Sequence, residues 1–289
     1  MLTPLIAIKS DLAFRAVFGR ECDQCKKALT ALLNDILDLH IISLAYVNPL
    51  NLQTYQQDKK TEMDIEVITD QGHRIDIEIQ LISLPGFQNR MVYYAGQLLD
   101  QALQTGEDYT ILDTKKCKVL SIADFILFPH TPQIKNTYRF QEITTHHQLT
   151  DIIEIIFLEM PKLDPHKPIP HMTTLEQWLY FLRYADDPTK QPQLQQIINQ
   201  KEGIQTAMNI LQQISADDTL RAQIRFREKA QRDQLARENA ARQEGRLAER
   251  IQIATNLLDI LDDRSIAQKT GLTIQEVAAI RQNSPHPQQ

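Results

Sequence analysis

Residues 62–81 read EMDIEVITDQGHRIDIEIQL, and their period decides the fold. Met63, Ile65 and Val67 alternate with Glu62, Asp64 and Glu66. After a break, Ile75, Ile77, Ile79 and Leu81 alternate with Arg74, Asp76, Glu78 and Gln80. Side chains two apart on a strand share a face, so both runs predict strands with one apolar and one polar face. Between them Asp70-Gln71-Gly72 supplies turn chemistry, with a glycine able to take positive φ. A three-residue turn at 70–72 sets the register, with Asp64 opposite Glu78, Glu66 opposite Asp76 and Glu62 opposite Gln80. Directly opposed Cβ atoms lie about 4.5–5.5 Å apart, and like charges there repel. Five carboxylates with one arginine on this patch call for a counter-charge, and a divalent cation is the economical one. The same alternation also suits the solvated outer face of an antiparallel ribbon, although such a face would more naturally interleave Lys and Thr.

Upstream of the hairpin, Asp11, Phe14 and Phe18 share one side of a short helix that Gly19 ends. Leu29, Leu32, Leu33, Ile36 and Leu37 form the apolar stripe of a second helix over 21–39. Ile41 to Val47 reads as a short strand stopped by Asn48-Pro49. Downstream, Met91, Ala95, Leu98, Leu99 and Ala102 line one side of a helix over 88–104. Two apolar β-like runs follow, Lys118 to Phe128 and Asp151 to Met160. The order is helix, three strands, helix, then further strands, an α/β class. Proline-containing segments, Pro161 to Pro170 and Pro188 to Pro192, mark loops or a boundary. The expected organisation is therefore a core over 1–165, a connecting region over 166–193, a helical region over 194–283 and a disordered tail at 284–289.

Composition bounds the rest. The 289 residues are 42% hydrophobic and carry a net charge of −6, enough apolar material for a sizeable core but no coat of positive charge. Residues 221–250 hold nine basic side chains against five acidic ones, which reads as an exposed helix, a phosphate-tracking stretch or part of a homodimer contact made by the C-terminal helices. Only eight glycines occur, with no GxGxxG and no GxxxxGK[ST], which argues against a nucleotide cradle. No apolar run approaches the roughly 18 residues of a membrane span, and no secretory signal is read. Three cysteines cannot all pair within one chain, and a reducing, cytoplasmic compartment is expected.

D-x-I on one strand, a turn, then I-E-I-Q on the next resembles the catalytic core of PD-(D/E)XK nucleases, with glutamine where lysine usually stands. SDLAFRAVFG (10–19), DKKTEMDIEVITDQGHRIDIEIQ (58–80), FQNRMVYYAGQLLDQALQTGEDYTIL (87–112) and DIIEIIFLEMPKL (151–163) resemble, in that order, the recombination-promoting nuclease and transposase family. The likeness covers about residues 10–163 and implies an αβββαβ core, a mixed central sheet flanked by helices, with a helical C-terminal extension. It implies that Asp64 and Glu78 bind the metal and that Gln80 occupies the lysine position. The cofactor implied is Mg²⁺, with Mn²⁺ able to substitute, and the reaction is hydrolysis of DNA phosphodiester bonds in recombination or mobile-element biology.

Glutamine carries no charge and is no general base; it could orient the attacking water or accept its hydrogen bond. Lys59 or Lys60 could supply the missing charge, or could form a solvated loop pair. Asp11 could lend a carboxylate through water, or cap its helix. Arg90 is a candidate phosphate contact. Tyr93 and Tyr94 could stack on a base, act as a nucleophile, or divide between packing and a hydrogen bond. Cys22 and Cys25 form a CxxC with no second pair at zinc spacing, and Cys117 does not complete one. His146, His147, His166 and His171 fall in loops with no motif, and Glu159 and Lys162 have no assignable chemistry. Residues 264–281 resemble a helix-turn-helix broken at Thr270-Gly271, in which Ile274, Val277, Ala278 and Arg281 would divide between packing and groove contact. Competing with the nuclease is a non-catalytic DNA-binding or assembly protein with a decayed core; RNA as substrate is a third reading.

Overall fold

The alternation folds as read. In the computed structural model, which describes residues 4–50 and 64–283, the first elements are α1 (Asp11–Phe18), α2 (Asp23–Leu37), β1 (Leu44–Tyr46), β2 (Ile65–Thr69) and β3 (Arg74–Gln80). β2 and β3 pair antiparallel with Ile65 opposite Ile77 and Glu66 opposite Asp76, the register that the three-residue turn requires. Gly72 takes φ 82° in that turn, a conformation that costs a side-chain-bearing residue energy. Its N–H donates to the Thr69 carbonyl at 2.8 Å.

α3 (Phe87–Ala102), β4 (Cys117–Ala123), β5 (Lys135–Gln141) and β6 (Gln148–Glu159) follow. The sheet has the order β1-β2-β3-β4-β6-β5. β3–β4 and β4–β6 are parallel and the other pairs antiparallel, so the sheet is mixed. Elements α2 to β4 run αβββαβ, and β5 with β6 widen the sheet beyond that core. β5 was not legible: most of its residues are exposed, so its composition carries no burial pattern. The apolar run read to Phe128 leaves the sheet at Ala123.

Each sheet face has its own core. Ile65, Val67, Ile75, Ile77, Ile79, Leu120 and Ile122 pack with α1 and α2. The same core takes in α4 (Thr174–Tyr184), α5 (Gln191–Gln200) and α6 (Glu202–Ala216). On the other face Cys117, Val119, Ile153 and Phe157 pack against Phe87, Met91, Tyr94, Ala95 and Leu98 of α3.

The connecting region expected at 166–193 is corrected here. It carries α4, whose Trp178, Leu179, Tyr180, Phe181 and Leu182 are fully buried. Trp178 Nε1 donates to Asp35 Oδ2 at 2.7 Å, and a Thr173–Glu176 capping box starts the helix. The prolines misled because Pro161, Pro170, Pro188 and Pro192 stand in the first turns of helical segments, where a missing N–H costs nothing. One compact unit accordingly spans Met1–Ile224, and a second spans Arg225–Gln289.

In the second unit, the end of α7 (Asp218–Leu257), α8 (Asp263–Thr270) and α9 (Ile274–Asn283) enclose Ala254, Leu258, Ile266, Ala267, Leu272 and Val277. Gly271 ends α8 at φ 70°, the break expected at Thr270-Gly271. Arg281 donates to the Leu258 and Leu261 carbonyls and pairs with Asp263, so it works as a tether rather than at a groove. Ile274 is exposed and Val277 buried. The tail 284–289 lies outside the described residues. Among the described residues no helix is long and apolar enough to cross a membrane.

Candidate active site

The polar face of the hairpin lies under α3. Arg90, near the start of α3, reaches Gln80, while Gln101, near its end, accepts from Arg74 Nη1 at 3.3 Å. That placement rules out the solvated-ribbon reading: Asp76 is fully buried, and Glu78 and Glu66 are nearly so. Glu66 is neutralised by Arg74 at 2.8 Å.

Asp64 and Glu78 come together at the open end of the ribbon. The Asp64 backbone N–H donates to Glu78 Oε1 at 3.0 Å, and the Ile79 N–H donates to Asp64 Oδ2 at 3.1 Å. Arg90 Nη2 donates to Gln80 Oε1 at 2.8 Å and lies 3.6 Å from Glu78 Oε2. Its guanidinium sits over the rings of Phe87 and Tyr94, 5.2 and 5.9 Å from their centroids. Gln80 Nε2 donates to the Ile82 carbonyl at 3.1 Å. The structure thus brings together Asp64, Glu78, Gln80 and Arg90. Lys59, Lys60 and Glu62 lie outside the described residues.

Burial dominates the electrostatics. It pushes the Glu78 carboxyl up to about 7, against the pull of the Asp64 N–H and of Arg90. Burial, then the charges of Glu78 and Asp11, hold Asp64 well above the usual carboxylate range. Burial, with Glu78, Asp64 and Glu66 around it, does the same to Asp76. Tyr94 rises to about 12 through burial and the nearby Glu78. A buried carboxylate cluster that resists ionisation in this way is characteristic of functional sites.

Asp11 reaches the site electrostatically, as does Arg15 one helical turn later. The N-cap of α1 is Ser10, so Asp11 stands inside the first turn instead. Sequence reasoning missed Arg15; the signal available was an i, i+4 acid–base pair on a helix whose other residues are all apolar. It also passed over Ser121, which lies opposite Glu78 in the parallel register with its hydroxyl buried and, among the described residues, without a hydrogen-bond partner.

The donors here are all oxygens, which suits a hard cation that keeps several waters. Asp64 and Glu78 each commit one carboxylate oxygen to a backbone N–H, and among the described residues both oxygens of buried Asp76 lack a hydrogen-bond partner. Orphaned buried acceptors of this kind call for an ion or a proton. Among the described residues, no group of three or more His, Cys, Asp or Glu side chains is arranged to hold a metal. Asp64 and Glu78 are the two carboxylates that could hold a cation.

The remaining candidates divide simply. Tyr93 is exposed and Tyr94 buried. Glu159 accepts from the Leu127 and Phe128 N–H groups and from Asn136, and pairs with Lys162; Lys162 in turn donates to the Phe128 and Gln133 carbonyls. This pair buttresses the loop over 124–134. Cys22 and Cys25 are joined as a disulfide, a pairing that runs against the reducing compartment expected from the cysteine count, and Cys117 is buried. His146, His147, His166 and His171 are exposed.

Comparison with family models finds one described as PD-(D/E)XK nuclease family transposase, matching residues 8–241. Comparison with curated proteins finds no match, and comparison with solved structures finds none.

Proposed function

This chain belongs to the PD-(D/E)XK nuclease family transposases, and from that premise we propose that it is a divalent-metal-dependent DNA endonuclease. Mg²⁺ is its working ion, and Mn²⁺ substitutes. One observation carries the reading: Asp64 and Glu78 interlock across the ribbon through backbone N–H groups, beneath a helix that supplies a guanidinium 3.6 Å from Glu78 Oε2. These two carboxylates would hold the ion. When bound, Mg²⁺ supplies an activated water and a counter-charge for the phosphate. The chain's own part is to keep the two carboxylates rigid through backbone N–H groups, and to present Arg90 toward the phosphate. Ionising Glu78 readies the site, since a protonated carboxyl is a poor ligand.

The chemistry resides within residues 1–165, and the setting we infer is recombination or mobile-element DNA. The C-terminal helices are offered as a homodimer contact, which light scattering of the full chain would test. The nuclease reading is tested with supercoiled plasmid and Mg²⁺ or Mn²⁺. Wild type nicks, while Asp64→Ala and Glu78→Ala do not, with circular dichroism unchanged. Equal nicking by all three overturns the site.

A second reading is favoured by the uncharged amide at position 80: a DNA-binding protein that keeps the metal pair but turns over slowly or not at all. Calorimetric binding of Mg²⁺ or Mn²⁺ without any nicking would select it.

A further inference from the structure

We propose that Gln80 is a positioning residue that works through Arg90, and that the Arg90 guanidinium is the group that meets the scissile phosphate. This rests on the nuclease reading above and deepens it.

The direction of the Gln80 amide is defined by its two partners. An arginine only donates, so the Gln80 atom facing Arg90 Nη2 at 2.8 Å must be the oxygen. The amide nitrogen is then turned to the Ile82 carbonyl, which only accepts, at 3.1 Å. Two independent partners define the same orientation. The result is a relay from backbone to guanidinium: the Ile82 carbonyl fixes the amide, and the amide fixes Arg90.

Three further contacts hold the guanidinium. Phe87 and Tyr94 lie beneath it, and Glu78 Oε2 is 3.6 Å away. About a third of the side chain remains exposed, enough to meet a ligand entering from solvent. A planar, permanently charged fork suits the non-bridging oxygens of a phosphate, where negative charge builds in the transition state.

The same geometry accounts for glutamine at position 80. A lysine there would set two cations side by side, and a glutamate would add a further carboxylate to a cluster already short of positive charge. Glutamine accepts from Arg90 without either cost. Its oxygen accepts from Arg90 with one of its two lone pairs.

The test is a double-mutant cycle in the plasmid assay, run alongside DNA affinity measured by anisotropy in Ca²⁺. Arg90→Ala should lower kcat by about 10²–10³-fold, the loss typical of one preorganised transition-state donor. KM and Ca²⁺-supported affinity should move little. Gln80→Ala should lower kcat by a smaller factor, and should add nothing in the Arg90→Ala background, because a group acting only through another is silent once that other is gone. Gln80→Lys combined with Arg90→Ala should recover part of the lost rate. Wild-type nicking by Arg90→Ala, additive losses, or no recovery in the lysine double variant each overturn the inference while the nuclease reading stands. If wild type cleaves no better than Asp64→Ala, the nuclease reading falls and this inference with it. Should Arg90→Ala fail to fold, Arg90→Lys with and without Gln80→Ala carries the same cycle.

Discussion

Asp64 and Glu78 hold each other through the backbone: the Asp64 N–H donates to the Glu78 carboxylate, and the Asp64 carboxylate accepts the N–H of Ile79, the residue next to Glu78. The two side chains are thereby clamped within one interaction distance of like charge, a state that persists only with a proton or a cation between them.

Stability of the metal-free protein should therefore fall as pH rises. Glu78 is raised from an ordinary 4.5 to about 7, so the folded state holds its proton where the unfolded chain has lost it. The Glu78 contribution is fully present below pH 4.5, declines between there and about 7, and is gone above. Asp64 and Asp76 shift in the same direction. Glu78→Gln cannot ionise, so its Tm minus that of wild type should grow across that window. A difference that stays flat with pH would contradict the assignment.

Divalent cation should reverse this loss. Adding Mg²⁺ or Mn²⁺ to EDTA-treated protein should raise Tm more at pH 8 than at pH 6, since the ligands must shed protons to bind. Calorimetry in buffers of differing ionisation enthalpy should report proton release at pH 6 that shrinks at pH 8. Asp64→Ala should lose both effects.

Asp76 is fully buried, and among the described residues neither of its oxygens is hydrogen-bonded. Asp76→Val, on a β-strand that accepts β-branched residues, should stabilise the metal-free protein by about 1–3 kcal/mol, the cost of one unsatisfied buried group. Denaturant midpoints at pH 8 would measure it, and a loss of stability would refute it.

Gly203, in the first turn of α6, packs where a Cβ would lie 2.4 Å from the Ala31 Cβ and 3.1 Å from the Trp178 ring. Alanine in a helix ordinarily gains up to about 1 kcal/mol over glycine, but overpacking here costs about 1–3 kcal/mol. Gly203→Ala should lower Tm, and unchanged nicking at low temperature would separate this packing defect from the site.

Several features were legible because their causes are local. The pairing of Glu66 with Asp76 follows from a strand period of two and a turn of three residues, and the breaks at Gly19 and Gly271 follow from helix-end chemistry. Trp178 and its neighbours were hidden because a proline has the same appearance in a loop and in the first turn of a helix. β5 was hidden because an exposed edge strand leaves no burial pattern. Arg90 was nameable as a phosphate contact, but its bond to Gln80 joins a strand to a helix ten residues on, and nothing in the spacing specifies which amide atom faces it.

The sequence by itself determined which acids share a face, since alternation and register depend only on neighbours along the chain. Only the tertiary structure decided what that face is. It becomes a candidate site because α3 crosses over it, taking Asp76 and Glu78 out of water and delivering Arg90 beside them. Burial depends on what packs above a residue, and that partner comes from elsewhere in the chain.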